Sequence, residues 1–264
     1  MVKRNSGTSK EDICQNQFTA YVVLAVKRKR QAYIKKKIRD KERKFIVEGD
    51  HLIEEARKNN LIEYIISCVD ENADFYVTKE IMEKISDQKS ISYNAAVVKF
   101  IPEDSVNGNV IILDNLQDPG NLGTILRTAD SVNLKQIIVT KTTADSYNPK
   151  VVRSTMGAIL RVKVIETDDL VATLKEIKKN KFKVVVTSLD TNDSVYDIEY
   201  NKKVIVIGNE ANGVSKEVQA IADNRVKIPM LGKTESLNAS VATGIMLYEY
   251  VRQKIATGSG FRWQ

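Results

Sequence analysis

The 264-residue chain carries 41 Lys and Arg against 34 Asp and Glu, a net charge of +7, with 42% hydrophobic and 28% charged residues. That balance is globular, and no apolar run approaches the roughly 18–20 residues of a membrane span, so no membrane partner is expected. The two cysteines, Cys14 and Cys68, lie far apart and provide neither a disulfide framework nor a zinc ligand set, so no metal is expected and a reducing cytoplasm is the expected location.

Met1 to Gln15 is polar, lacks periodicity and reads as a frayed tail. Thr19 to Val26 is apolar but short, and the charges KRKR follow it; a signal peptide would place them before the apolar core, so export is not expected. Thr19 to about Arg39 reads as a basic helix. From Lys27 to Lys44 there are eleven Lys and Arg against Asp40 and Glu42, a local +9. Lys27, Arg28, Lys29, Arg30, Lys35, Lys36, Lys37 and Arg39 are therefore candidate contacts to nucleic-acid phosphate, with a solvated helix face as the alternative. The scarcity of aromatics there (Tyr33, Phe45) favours backbone contact over base stacking.

Phe45 to Val47 reads as a strand ending at Gly49, and Asp50 as the N-cap of a helix carrying Leu52, Ile53 and Ala56. Ile62 to Cys68 is a second strand, Thr78 caps a helix with Ile81, Met82 and Ile85, and Ala95 to Ile101 is a further strand. This alternation gives a small α/β domain over residues 1–105. His51, the single histidine, reads as structural or solvated. Pro102 to Asn109 is polar, holds a Pro and a Gly, and reads as a linker.

The second domain, residues 110–256, opens with the strand Val110 to Asp114 and a Pro119-Gly120 turn. Asn121 then starts a helix with Leu122, Ile125, Leu126 and Ala129 inward. Arg127 lies off that stripe and by itself reads as an ion pair with Asp130. Gly123 removes a side chain where backbone or ligand must come close. Gln136 to Thr140 is a strand, and Asn148-Pro149 starts a helix bearing Lys150 and Arg153, which read equally as phosphate contacts or as surface. Arg161 to Glu166 is a strand, Asp168 to Asn180 a helix and Phe182 to Leu189 a strand, followed by a polar loop from Thr191 to Lys203.

Val204 to Ile207 is a buried strand that places Gly208-Asn209-Glu210 at its C-terminal end, where open α/β sheets bind ligands. Ser215 is the cap of the next helix, and Arg225 to Ile228 is a strand stopped by Pro229. The loop Met230 to Asn238 feeds a last helix rich in small residues. On it Leu237, Val241, Ile245 and Tyr248 share one face, ready to press on the sheet or on a partner subunit. The order predicts a parallel sheet covered on both faces. The tail, residues 257–264, holds Phe261 and Trp263 and reads as a disordered end or as an aromatic contact to RNA or a partner.

Several chemistries fail on inspection. Gly232-Lys233-Thr234 looks like the end of a P-loop, but the glycine needed five positions earlier is Lys227. No GxGxxG follows a strand. No Cys or His lies after residue 68, which excludes Cys-dependent base methylation and His-based acid–base chemistry in the second domain.

The segments LDNLQDPGNLGTILRTADSVNL, NPKVVRSTMGA, GNEANGVS and IPMLGKTESLNASVATGIMLYE, taken together, resemble the motifs of the SpoU/TrmH group of SPOUT RNA ribose 2′-O-methyltransferases. KERKFIVEGDHLIEEA resembles the start of an accessory domain of that family, itself similar to a ribosomal protein that binds bent RNA. The resemblance implies a parallel-sheet SPOUT domain with a C-terminal trefoil knot, S-adenosylmethionine as cofactor, a homodimer paired through the knot, and methyl transfer to a ribose 2′-hydroxyl of structured RNA, foremost 23S ribosomal RNA. Transfer RNA methylation, a resistance methyltransferase and a non-catalytic ribosome-assembly factor are the alternatives.

It also implies Arg127, Asn121, Glu210, Ser236 and Asn238 as the catalytic set. Cofactor contacts would fall on Gly208, Asn209, Ile228, Pro229, Met230, Leu231, Ser236, Leu237 and Asn238, largely through backbone. Family members are proposed to use the arginine matched by Arg127 as proton acceptor. A guanidinium has a pKa above about 12, so an anchor for substrate phosphate is the second role.

Overall fold

A computed structural model describes residues 35–86, 92–102 and 110–258, and the chain divides into two units, Met1–Phe100 and Ile101–Gln264. The expected N-terminal tail, Lys27, Arg28, Lys29 and Arg30, most of the linker, and Phe261 and Trp263 lie outside the described residues.

In the first unit the order is α1 (Lys36–Glu42), β1 (Lys44–Glu48), α2 (Asp50–Lys58), β2 (Ile62–Ser67), β3 (Phe75–Tyr76), α3 (Lys79–Ile85) and β4 (Asn94–Lys99). The sheet runs β1-β4-β2-β3, antiparallel except for the β2/β3 pair. Phe45 and Val47 alternate inward on β1, and α2 buries Leu52, Ile53 and Ala56, as its spacing requires. Met82 and Ile85 of α3 close over Ile66, Val77 and Ala95. Two readings need correction, and one strand went unread. Asp50 is the first helical residue and Gly49 stands at the cap, because the Asp50 carboxylate accepts from Asn94 Nδ2 at 2.7 Å instead. β3, two residues long, is too short to leave a pattern. Arg39, expected on a phosphate-facing surface, is 1% exposed. Ile38 is the lone apolar residue of α1, so an arginine stem fills the inward position. Lys35 and Lys37 are exposed, Lys36 is half-buried, and His51 is exposed on α2.

The second unit comprises β5 (Val110–Leu113), α4 (Pro119–Ser131), β6 (Gln136–Thr140), α5 (Pro149–Ser154), a 3-10 turn (Ala158–Leu160), β7 (Lys163–Thr167), α6 (Leu170–Lys179), β8 (Lys183–Thr187), β9 (Lys203–Ile207), α7 (Lys216–Ile221), β10 (Asn224–Val226) and α8 (Ala239–Ala256). Its six strands, ordered β10-β8-β9-β5-β6-β7, all run parallel. Both faces are covered, which is why the strands are continuous runs of Val and Ile. Val110, Ile112, Ile138, Val184, Val186, Val204 and Val206 pack with Leu170, Leu174 and Ile177 of α6 and Val218 of α7. Alternate residues such as Ile111 and Ile205 turn to the other face, against Leu247 and Tyr250 of α8.

The polar loop between β8 and β9 does more than connect. Ser188 N donates to Val226 O (3.0 Å), and Lys227 N donates to Asp193 O (2.9 Å). At its far end the Gln253 side chain of α8 accepts from Tyr200 N (2.9 Å) and donates to Ile198 O (2.8 Å). The buried Tyr200 hydroxyl donates to Val195 O at 3.0 Å; burial, with Glu249 and Tyr196 nearby, pushes its pKa upward. One loop thus straps both β10 and the last helix.

Of the two surfaces expected for the stripe, sheet or partner, the sheet does not take it: at the start of α8 and along it Leu237 is 36%, Val241 51% and Tyr248 54% exposed. The core side is Ala239, Thr243, Met246, Leu247 and Tyr250. The helix carries two apolar stripes, and periodicity alone does not say which one the sheet takes.

Candidate active site

Leu113 and Ile207 end neighbouring strands in register, so the loops after β5 and β9 emerge side by side. Asp114 N donates to Ile207 O (2.8 Å), and the buried Asp114 carboxylate accepts from Ser215 N (2.9 Å) and Ser215 Oγ (2.7 Å). Ser215 stands at the N-cap of α7 as expected, yet its hydroxyl goes to Asp114 and makes no cap bond.

The loop after β9 is closed on itself. Asn209 and Gly213 exchange backbone bonds of 2.9 Å each way, and Asn209 Oδ1 accepts from Ala211 N (2.9 Å) and Asn212 N (3.1 Å). Asn209 Nδ2 reaches across to Asn115 O at 2.8 Å. A Cβ on Gly208 would sit 2.0 Å from the carbonyl carbon of Gly213, so only glycine fits. The Asn209 side chain and its backbone N–H are thus both committed inside the protein, and the residue's part is to hold the turn.

Glu210 then points back at the start of α4. Its Oε1 accepts from Asn121 Nδ2 (3.1 Å) and Asp118 N (3.3 Å), and its Oε2 from Gln117 N (3.2 Å). Partial burial pulls the Glu210 carboxyl upward, but its own backbone N–H, the Asn121 amide and the Gln117 and Asp118 N–H groups outweigh that and hold it below the usual glutamate range. Glu210 is therefore an anion fastening the loop. α4 begins at Pro119, two residues before the expected start, with Asp118 as N-cap accepting from Asn121 N (2.7 Å).

Asn121, 8% exposed, continues the chain: its Oδ1 accepts from Asn238 Nδ2 at 2.9 Å. Asn238 Oδ1 in turn caps α8, accepting from Ser240 N (2.9 Å) and Ser240 Oγ (2.6 Å). The relay Glu210–Asn121–Asn238 joins three segments far apart in sequence, and an anionic acceptor at one end fixes both amide orientations.

Arg127 is outside this relay. It is exposed, two turns along α4, with no hydrogen bond or ion pair to any described residue. Its expected partner Asp130 is taken by Arg161, at 2.8 Å from Nη2 and 3.0 Å from Nε. Ser236 is likewise exposed and unbonded among the described residues. Lys150 is exposed and Arg153 half-buried on α5. The space at Gly123 belongs to helix packing: a Cβ there would lie 1.7 Å from Ser154 Oγ.

Between β10 and α8, Ile228, Pro229, Met230, Leu231 and Leu237 are half-buried or exposed, Leu231 fully so at 100%. Among the described residues, residues 228–237 make no hydrogen bond, so their backbone donors and acceptors stand open beside the strand ends. That is the donor set an adenosyl group read through backbone requires, and these residues fit S-adenosylmethionine. Sequence reasoning missed Gln117, whose Nε2 ties Asn115 Oδ1 (2.7 Å) to Thr142 O (2.6 Å), and the roles of Asp114 and Asp118. Asp118-Pro119 was findable as an Asp cap before a Pro; Gln117 and Asp114 carry no spacing signal.

The family model described as SpoU rRNA Methylase matches residues 108–248. The chain is 31% identical over 225 residues to the 23S rRNA (guanosine(2553)-2′-O)-methyltransferase RlmP of Bacillus subtilis, covering 81% of this chain and 90% of that protein. The AdoMet-bound rRNA methyltransferase from Sinorhizobium meliloti superposes with a TM-score of 0.73 at 27% identity, covering 88% of this chain and 94% of that one. The SpoU methyltransferase AviRb from Streptomyces viridochromogenes, in complex with AdoMet, shares the fold with a TM-score of 0.79 at 24% identity, over 88% of this chain and 98% of that one. Six parallel strands, the closed loop at Gly208 and a match spanning the relay from Asn121 to Asn238 lead to one conclusion: the chain belongs to the SpoU rRNA methylase family.

Proposed function

We propose that this chain transfers a methyl group from S-adenosylmethionine to a ribose 2′-hydroxyl of ribosomal RNA. The observation that carries the reading is the Glu210–Asn121–Asn238 relay, which sets the open backbone segment 228–237 against the start of α4. Ile228, Met230, Leu231 and Leu237 would hold the cofactor, with Gly208 allowing close approach. When bound, the cofactor supplies a methyl group already activated by a positively charged sulfur.

The protein's own part is alignment. Asn121 and Asn238 have their amides committed to the relay and act as positioning residues, with Glu210 as the fixed end. Arg127 is free and exposed, and its planar guanidinium suits a phosphate beside the reacting ribose. We assign it that anchor role, and the hydroxyl proton leaves to water. Ser236, exposed on the open segment, faces substrate or cofactor without a structural duty.

Three further readings go with this one. The first unit binds RNA through Lys35, Lys36 and Lys37 and the basic stretch before them, without Arg39. The chain pairs as a homodimer through the outward stripe of α8, which offers Leu237, Val241 and Tyr248 at 36%, 51% and 54% exposure. The strap over β10 and α8 is in keeping with a trefoil-knotted chain, and the proposed place of action is the cytoplasm. Among the described residues no helix is long and apolar enough to cross a membrane, and no cluster of His, Cys, Asp and Glu is suited to a metal. Incubating the full chain with methyl-labelled cofactor and ribosomal RNA tests the central claim. Label on ribose 2′-oxygens is expected; label on bases, or on protein alone, overturns it.

A further inference from the structure

The edge of the six-stranded sheet opposite the relay has its own chemistry. Two turns lead into neighbouring strands there: Asn180-Lys181-Phe182-Lys183 enters β8, and Asn201-Lys202-Lys203 enters β9. The turns are locked together. Lys183 N donates to Lys202 O at 3.0 Å, and Lys183 and Lys203 are register partners on adjacent parallel strands, about 4.8 Å apart. Four lysines thus start two strands side by side.

Like charges facing one another across a sheet are destabilising, and folds ordinarily place an acid between them. None does so here. Among the described residues, Lys181, Lys183, Lys202 and Lys203 make no ion pair or side-chain hydrogen bond. Asp223, the carboxylate at this edge, is already held by Lys178 Nζ (2.9 Å) and Val184 N (2.7 Å). Burial first, then Lys183, lowers the pKa of Lys203, with Glu199 and Asp223 opposing, so the lysine charges are only partly compensated within the protein.

The backbone gives a second, independent sign. Lys181 has φ 63 and Lys202 φ 50, in the left-handed region that Gly and Asn adopt most readily. In each turn an asparagine stands one residue earlier, yet lysine occupies the strained position. Both turns forgo the easier residue and keep the charge. An unpaired cationic group built at this cost fits an external polyanion.

We propose that Lys181, Lys183, Lys202 and Lys203 form a second docking surface for the phosphate backbone of the RNA substrate, separate from the reacting site. This rests on the methyltransferase reading above. β8 is five residues long, so the patch lies roughly 16 Å from the carboxyl ends of the strands, within reach of a folded RNA and beyond a short oligonucleotide. The four contacts are to phosphates, so they add affinity without sequence preference.

The test uses the full chain with all four lysines changed to glutamine, and a second variant with all four changed to arginine. Binding of a long, folded 23S ribosomal RNA transcript is measured across a salt series, beside S-adenosylmethionine affinity and thermal midpoint. The glutamine variant should bind the transcript about tenfold or more weakly, with a salt slope shallower by about 3, from four lost phosphate contacts. Its cofactor affinity and its binding to a short oligonucleotide should match the wild type, its midpoint should be equal or higher because like charges are removed, and the arginine variant should restore transcript binding. A glutamine variant with wild-type affinity and slope overturns the proposal. A wild type that binds no RNA overturns the methyltransferase reading itself, a separate and recognisable failure.

Discussion

Replacing Asn121 by aspartate keeps its shape and changes one thing: a second carboxylate would face Glu210 where an amide now donates at 3.1 Å. The bond from Asn238 Nδ2 survives, since an oxygen still occupies that side. Two unit charges at that distance repel by about 5 kcal/mol at an effective dielectric of 20 and about 1.3 kcal/mol in bulk water. Glu210 is exposed on one side, which puts the working value low in that interval, about 1–3 kcal/mol. For a unit of this size, that lowers the melting midpoint by about 2–12 °C. Asn121→Ala is the control; it loses both side-chain bonds at every pH, for about 1–3 kcal/mol.

The two variants separate by pH. Carboxylates this close share a proton, and one pKa rises above the ordinary range. The folded Asn121→Asp protein then holds more protons than the unfolded chain, so its stability falls as pH rises through the raised value. Differential scanning fluorimetry at pH 5 and pH 8 should show Asn121→Asp close to the wild type at the lower pH and well below it at the higher. Asn121→Ala should be displaced equally at both. If Asn121→Asp melts with the wild type at pH 8, or parallels Asn121→Ala throughout, Glu210 does not hold Asn121 as described.

The remaining expectations are shorter. Glu210 has its folded pKa depressed, so its stabilisation is present above the unfolded value of about 4.3 and lost as pH falls through the depressed one; Glu210→Gln should flatten the acid limb of the melting-versus-pH curve, and an unchanged limb would argue against the loop-fastening role. Arg127→Ala should leave folding stability within about 0.5 kcal/mol of wild type and cofactor affinity intact, while turnover at saturating RNA falls steeply; full turnover would remove Arg127 from the site. If the chain pairs as proposed, Val241→Glu with Tyr248→Glu, both on the outward stripe of α8, should give a monomer in light scattering where the wild type gives a dimer, without loss of helicity. A dimer that persists would move the interface elsewhere.

Much of the second unit could be read from residues alone. Runs of Val and Ile bounded by turns gave β5, β6, β8 and β9 to within a residue or two, because a parallel sheet buries both faces and leaves no polar alternation to confuse the pattern. Asn148-Pro149 marked α5 correctly because a side-chain cap and a fixed φ coincide there. What stayed hidden depends on distance in the chain. Ser215 looked like a cap until Asp114, 101 residues earlier, claimed its hydroxyl. Asn121 carries no local mark of lying between Glu210 and Asn238; the motif resemblance grouped the three, and the fold supplied the bonds. Arg39 misled for the converse reason, since a basic run says nothing about which stem turns inward.

The closed turn at Gly208 bears on how relatives of this chain can be sorted. Gly208 is confined by the Gly213 backbone, and the Asn209 amide is spent on Asn115, Ala211 and Asn212. Both residues serve the folding of the turn and would be retained by a descendant that had stopped methylating anything. Arg127 has no such duty: no described residue leans on it. A paralogue that keeps the Gly-Asn-Glu turn but has lost the arginine on α4 is therefore the one to assay as an RNA chaperone or assembly factor, whereas one that keeps both is to be assayed for methyl transfer.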